Sequence, residues 1–457
     1  MSTRREFIKQ VAVAGAALAI SDKLEAMGKV KVPATAPSRV LGANDKVRVA
    51  VAGVHNRGRA LAMNFAQMTS DCEVVYICDC DSAVVPPAQE ACKAASGIEP
   101  KYVRDYRELV KMPDIDVIVV ALPDHWHAAA AIMAMENGKH VYLEKPATHT
   151  PAENEMVLKA QKKYNKVVQI GTQRRSWPTV REGIEILRNG EYGLGTVSVA
   201  KSWYSHPRPS IGKFDPSPVP ENLDWELWQG PAPHKKEFKA NCLHYNWHWY
   251  WDWGTGEALN NGSHFIDVIR WGMGLDDWPT LVNSVGGKYR FVDDDWETPD
   301  YQLITLQYGD RCSVNWEGRS RNHFPTDGLT HGVTFYGEDS CMWFDFRDSY
   351  VIKDMKGNVV KEAVGSLPVR VNDTFNPCEA LDTIHLKNFL DGIRLGTPLN
   401  APLIEGCKST QLMQYGNIAQ RVGHSLRIDP KSGKILGDNE AMKYWTRKYE
   451  KGWMPKV

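Results

Sequence analysis

Residues 47–58 read VRVAVAGVHNRG. Val47, Val49 and Val51 are β-branched and suit a buried parallel strand that ends in a glycine-bracketed turn. Gly53 takes the tight turn at the end of that strand, and Gly58 lets a following helix pack close to the sheet. The exposed N–H groups of His55, Asn56 and Arg57 at the start of that helix form a site for a pyrophosphate. About 20 residues on, the apolar run from Glu73 to Cys78 ends in Asp79, the spacing at which an acidic residue meets an adenosine ribose hydroxyl. One element departs from the pattern, since His55 stands where GxGxxG has its middle glycine. These residues predict a dinucleotide-binding βαβ unit, with an ordinary βα turn as the alternative.

Working outward, strand-like and helix-like patterns alternate through the first half, as a parallel sheet requires. Strands are predicted at 47–52, 73–78, 116–122, 140–144 and 167–171, with helices between them. In a doubly wound sheet, ligands bind outside the carboxyl ends of the strands. Two polar segments fall at such ends: Pro123-Asp124-His125-Trp126-His127 and Glu144-Lys145-Pro146. A lysine directly after an apolar strand either points into a cleft or loses solvation, which makes Lys145 a functional candidate. The Lys145–Pro146 bond is a candidate for the cis form. Pro123, His125, His127 and Glu144 read as cofactor-side or packing residues rather than proton carriers.

The second half has a different period. Residues 301–308 and 311–317 alternate around Gly309-Asp310, the pattern of an antiparallel hairpin. Further short strands are expected at 341–345, 350–353 and 359–363, and helices at 380–392 and 410–422. The fold class expected is α/β: a doubly wound parallel Rossmann sheet, then an α/β domain with a large, mostly antiparallel open sheet. If 258–271 forms one helix, Asn260, His264, Asp267 and Trp271 share a face. An apolar core face would not carry Asn, His and Asp together, so this stripe lines a polar cleft or a buried hydrogen-bond network. His264 is the general acid/base candidate, because an imidazole exchanges a proton near neutrality.

Composition narrows the classes. Lys+Arg and Asp+Glu are equal at 55 each, which argues against a nucleic-acid partner or a polybasic membrane anchor. The nine cysteines show no CxxC pair, so no metal site is expected and no disulfide framework is indicated. At the start, Arg4-Arg5 precede a short Ala-rich apolar run, 11–20, which reads as a twin-arginine export signal and is too short for a stable membrane anchor. A periplasmic location follows as the expectation. That route carries folded proteins, and the periplasm offers no free nicotinamide nucleotide pool, so an exported dehydrogenase must hold its cofactor tightly. The segments are therefore read as signal and spacer (1–35), dinucleotide-binding domain (45–172), substrate and oligomerisation domain (173–430) and tail (431–457).

Nine of the 16 tryptophans fall between Trp203 and Trp278, with Tyr204, Tyr245 and Trp247 among the aromatics of that region. Aromatic faces stack on the C–H face of a pyranose, so Tyr204, Tyr245, Trp247 and the polar Asp267 are taken as substrate-side candidates. A hydrophobic clasp between domains or subunits accounts for the same crowding equally well.

The glycine turn, Asp79, the Pro-Asp-His loop, Glu144-Lys145-Pro146 and the helix carrying His264 and Asp267 resemble, in this order, the Gfo/Idh/MocA oxidoreductases. That family includes glucose–fructose oxidoreductase and inositol 2-dehydrogenase. The N-terminus, Ser210–Lys213, Pro218–Gly230 and Trp247–Trp253 resemble its exported subgroup. The resemblance implies bound NAD or NADP, oxidation or reduction of a sugar or cyclitol hydroxyl, and a homo-oligomer (dimer or tetramer). It implies that Lys145 contacts substrate and nicotinamide ribose and that His264 exchanges the hydroxyl proton. Asp79 favours NAD, whereas Arg57 would partly accommodate NADP. Asn260 stands where many family dehydrogenases carry aspartate; it can orient the histidine or the substrate but cannot share a proton. Two alternatives stay open: an NAD-dependent glycosidase acting by transient oxidation and elimination, and a non-catalytic sugar-binding protein.

Overall fold

A computed structural model describes residues 45–345, 347–370 and 375–457. The export signal and spacer expected at 1–35 lie outside the described residues. The chain runs through β1 (Val47–Ala52), α1 (Arg57–Gln67), β2 (Cys72–Cys78), α2 (Val85–Ser96), β3 (Lys101–Val103), α3 (Tyr106–Leu109) and β4 (Val117–Val120). It continues with α4 (His127–Glu136), β5 (His140–Leu143), α5 (Pro151–Tyr164), β6 (Val168–Ile170) and α6 (Pro178–Arg188). The six strands form one sheet in the order β3-β2-β1-β4-β5-β6, all pairs parallel. The order reverses between β1 and β4, so the crevice beyond their carboxyl ends is the expected ligand position. β1 and β4 are buried along almost their whole length because helices cover both faces. The sheet is the doubly wound one that the sequence predicts, with β3 and α6 as additional elements.

The second half starts with β7 (Val199–Ser205) and α7 (Trp225–Gln229), followed by α8 (Gly256–Asn260) and α9 (Gly262–Gly272). Then come β8 (Leu281–Gly287), β9 (Tyr301–Tyr308), β10 (Cys312–Arg319), β11 (His331–Tyr336), β12 (Ser340–Phe344), β13 (Ser349–Asp354) and β14 (Val359–Val364). Two helices, α10 (Glu379–Leu395) and α11 (Leu403–Val422), and the short β15 (Leu426–Arg427) complete it. The nine strands order as β14-β13-β12-β11-β7-β10-β9-β8-β15, and only β7–β10 is a parallel pair. β9 and β10 alternate buried and half-buried residues, with Ile304, Leu306, Val314 and Trp316 turned to a core shared with Phe265 and Ile269 of α9 and Met413 of α11. The expected single helix over 258–271 is two helices that meet at Asn261 (φ −112°, ψ −34°).

The C-terminal part returns to the first sheet. Leu386, Phe389 and Leu390 of α10 pack with Val49, Val51, Phe65 and Val119. Residues 431–457 are packed as well: Ile435, Ala441 and Trp445 are buried, and Arg447 pairs with Glu153 of α5 at 2.8 Å. All nine cysteines are free thiols, and Cys78, beside Asp79, is buried at the strand end.

Candidate functional site

A cleft of about 410 Å³ opens at the carboxyl ends of β1 and β4, and its lining runs from Gly53 and Asp79 to Lys145, Asn260 and His264. Its floor is the glycine turn. Gly53 has φ +81°, and a Cβ there would stand 2.5 Å from the carbonyl oxygen of Ala121. A Cβ on Gly58 would lie 1.6 Å from the carbonyl oxygen of Gly53, so the turn closes only without side chains at both positions. His55 is tolerated because the turn asks for no left-handed φ there. Its ring instead stacks on His244 at 4.4 Å and 17°. His244 in turn pairs through Nε2 with Asp81 at 3.1 Å, so a segment of the second half reaches across the turn.

The residues fit a dinucleotide. Asn56 makes no side-chain cap at the start of α1, which leaves the first-turn N–H groups facing a ligand. Asp79 lines the cleft, accepts from Val54 N at 2.8 Å and Asp81 N at 3.0 Å, and is pushed up to about 6 by burial. Arg57 is partly committed to carboxylates. Its Nε and Nη1 hold Glu144 at 2.8 Å and Asp382 of α10 at 2.6 Å, so it pins two domains' elements together, while its Nη2 has no partner and the residue lines the cleft. Burial pushes the Glu144 carboxyl up, but Arg57 and then Lys145 outweigh it and hold it below the usual carboxylate range.

Lys145 follows β5 directly and its peptide with Pro146 is cis. Its Nζ donates to the Asn260 carbonyl oxygen at 2.7 Å and to Asn260 Oδ1 at 3.2 Å. Burial lowers its pKa against the raising influence of Glu144, Asp124 and Glu257. Asn260 therefore orients the lysine, not the histidine, and its Nδ2 donates to the Tyr245 hydroxyl at 3.0 Å. Behind it, Glu257 accepts from Asn260 at 3.4 Å and pairs with Arg208 at 3.1 Å. His264, in the first turn of α9, is buried and its Nδ1 has no hydrogen-bond partner. Burial, and then the charges of Arg174, Lys145 and Arg57, hold the imidazole well below its ordinary pKa, so it is neutral. A neutral imidazole that lines the same cleft as a lysine amine can take a proton while the amine steadies the oxygen left behind.

Several residues fall elsewhere than the sequence suggests. His125 does not line the cleft; its ring nitrogens face the carbonyl oxygens of Trp253 (3.2 Å) and Trp228 (3.1 Å). His127 and Pro123 do line it, with His127 held between the carbonyls of Pro146 (2.6 Å) and Leu122 (2.8 Å). Asp267 is turned into the core, where Arg175 grips it at 2.7 Å and Ser409 donates at 2.6 Å. The break at Asn261 takes Asn260 off the face that His264 and Asp267 still share within α9, and on that face Arg175 and Ser409 occupy the Asp267 carboxylate. Tyr204 is buried against Phe265 and His331, away from the cleft. Tyr245 and Trp247 do reach it. Most of the tryptophan crowding is a separate core, in which Trp249 stacks on Trp296 at 4.0 Å and Trp225, Trp228 and Trp253 interlock. Unforeseen lining residues include Asp124, His244 and His248, the last stacked on Trp247 at 3.6 Å. Asp124 was visible as the one acid in the strand-end loop; His244 and His248 carry no local signal.

Among known proteins, the chain is 32% identical over 158 residues to glycosyl hydrolase family 109 protein 2 of Shewanella sp. (strain ANA-3), covering 32% of this chain and 34% of that protein. It is 30% identical over 148 residues to inositol 2-dehydrogenase of Salmonella paratyphi B (strain ATCC BAA-1250 / SPB7), covering 32% of this chain and 43% of that protein. The chain thus spans about a third of the first relative's length. In fold it is similar to levoglucosan dehydrogenase in complex with NADH and levoglucosan, with TM-score 0.64, 17% identity, and coverage of 84% of this chain and 99% of that one. The WlbA dehydrogenase from Bordetella pertussis in complex with NADH and UDP-GlcNAcA gives TM-score 0.61 at 17% identity, over 84% and 99% of the two chains. Residues 47–172 match the family model described as an oxidoreductase-family NAD-binding Rossmann fold. Residues 209–454 match the C-terminal α/β domain of the same oxidoreductase family. A glycine turn that fits a dinucleotide, the two sheets behind it and both family models agree: the chain belongs to the Gfo/Idh/MocA oxidoreductase family and carries its NAD-binding Rossmann domain.

Proposed function

We propose that the protein is an exported oxidoreductase that keeps NAD bound and oxidises or reduces a hydroxyl or carbonyl carbon of a sugar, glycoside or cyclitol. One observation carries this reading: Lys145 and the neutral His264 share a single cleft with the glycine turn. Bound NAD supplies a hydride acceptor or donor at its nicotinamide ring. His264 takes the proton from the substrate hydroxyl, because its imidazole lines the cleft and is neutral. Lys145 donates a charged hydrogen bond to the developing oxyanion, and Asn260 fixes its Nζ through two oxygens. Tyr245 and Trp247 line the same cleft and suit the apolar face and hydroxyl edge of a sugar ring. The names of inositol 2-dehydrogenase and levoglucosan dehydrogenase among the similar proteins support a polyol or sugar substrate. A homo-oligomer joined through the outer face of the nine-stranded sheet belongs to the same reading.

The family 109 relatives favour a second reading, in which the same site hydrolyses a glycoside without net redox change. The two are separated by offering the purified protein free sugars, cyclitols and chromogenic glycosides while following bound-nicotinamide absorbance and aglycone release. Oxidised product with the cofactor reduced, and no aglycone, supports the first reading. Aglycone released with the cofactor unchanged supports the second. A nucleotide-free protein that binds sugars and converts none of them contradicts both.

A further inference from the structure

A second cleft, of about 260 Å³, lies behind the wall of the first. Four cationic side chains, Arg421, Lys443, Arg447 and Lys448, line it against one carboxylate, Asp252. Asp252 is already paired with Lys235 at 3.1 Å. The guanidinium of Arg421 lies between the rings of Trp251 (4.6 Å to its centroid) and Tyr444 (4.1 Å). The other acid that acts on it, Glu297, is committed to Trp251 N at 2.8 Å. Two ring faces hold the planar group and the Tyr444 hydroxyl takes part of its N–H edge, leaving the remaining N–H groups for recognition of an oxyanion. Deeper in, Arg447 uses Nε on Glu153 (2.8 Å) and Nη2 on the His125 carbonyl (2.5 Å), and its Nη1 is buried without a partner. Glu153 is itself saturated by His149 N, Thr150 N and the Tyr449 hydroxyl at 2.9, 3.1 and 2.6 Å. His149 donates Nε2–H to the Gly254 carbonyl at 3.1 Å, so its neutral ring offers no donor to an anion and serves as a wall of the cleft.

We propose that this cleft binds a small oxyanion, the carboxylate or the phosphate or sulfate ester of a small molecule, with Arg421 as its main ligand. The wall between the two clefts is a short stretch of chain. Gly254 and Thr255 line the second cleft, while the Thr255 hydroxyl donates to Asp124 of the first at 2.5 Å and the His125 amide donates to the Trp253 carbonyl at 3.2 Å. The oxyanion site therefore stands back to back with the NAD cleft without sharing its polar groups.

Calorimetric titration of the purified full chain with inorganic phosphate, sulfate and glucuronate, at ionic strength balanced with chloride, tests this. The expected result is saturable binding of at least one probe. Arg421→Gln should weaken it by about tenfold or more, since a charged hydrogen-bond donor is lost. Lys145→Gln should leave it intact, which separates the site from the first cleft. A glucuronate preference would identify a carboxylate ligand, and a phosphate or sulfate preference an ester. Saturation by none of the three probes, undiminished binding in Arg421→Gln, or loss in Lys145→Gln would each overturn the assignment.

Discussion

Lys145 and His264 are both held below their ordinary pKa by burial, and the two shifts set opposite ends of a pH profile. His264 must be neutral to accept a proton, and its pKa lies well below 6.5, so the acid limb of kcat/KM moves below that value. Lys145 must be charged to steady an oxyanion, and its pKa is lowered from 10.5, so the alkaline limb begins before that value. The profile should be a plateau spanning neutrality; an acid limb centred on 6.5 would remove His264 from the role of base. Asp79 gives a second handle. Its carboxyl, pushed up to about 6, is ionised above that pH and offers two acceptors to a ribose diol. NAD retained through dialysis should therefore fall below about pH 6 and be insensitive to pH in Asp79→Asn. Asp79→Ala should lose NAD and gain relative affinity for NADP; unchanged nucleotide content would show that the ribose is read elsewhere. Side chains at strand ends were legible in the sequence because polar residues there have few structural uses. Asp267 and His125 misled for a physical reason: spacing reports which face a residue occupies, but not that Arg175 or two tryptophan carbonyls cover it.

Arg57 shows how a residue at a helix terminus can carry a structural load beside a ligand cleft. At the first position of α1 it holds Glu144 and Asp382, whose side chains are 7% and 3% exposed. Arg57→Ala would strand two buried carboxylates, a loss of about 3–5 kcal/mol for a buried pair broken on one side. Thermal unfolding should show that loss in the nucleotide-free protein too, whereas a pure cofactor ligand would change stability only with NAD present. The hairpin β9–β10 and the buried strands β1, β4 and β5 were readable from local alternation and apolar runs. β7 was not, because its parallel partner β10 lies more than a hundred residues away and no turn announces it. The split of α8 from α9 did have a local sign, the Asn261-Gly262 pair, which the four-and-three spacing of the polar residues outweighed.

The two sheets are tied into one molecule by long returns of the chain. α10 packs on the first sheet, Arg57 pins it there, and the C-terminal residues reach α5 through Arg447 and Glu153. Replacing Arg4 and Arg5 by lysine should leave the protein in the cytoplasm with its NAD; normal periplasmic accumulation of that variant would contradict export by the twin-arginine route. The measurement that bears most directly on the whole account is single-turnover reduction of bound NAD by a carbohydrate substrate. Lys145→Ala and His264→Ala should each keep the nucleotide and slow that step by about 10²–10⁴-fold. The double variant should be far less than multiplicatively worse, because both side chains serve one oxygen. Reduction at the wild-type rate in His264→Ala, with NAD fully retained, would contradict the account.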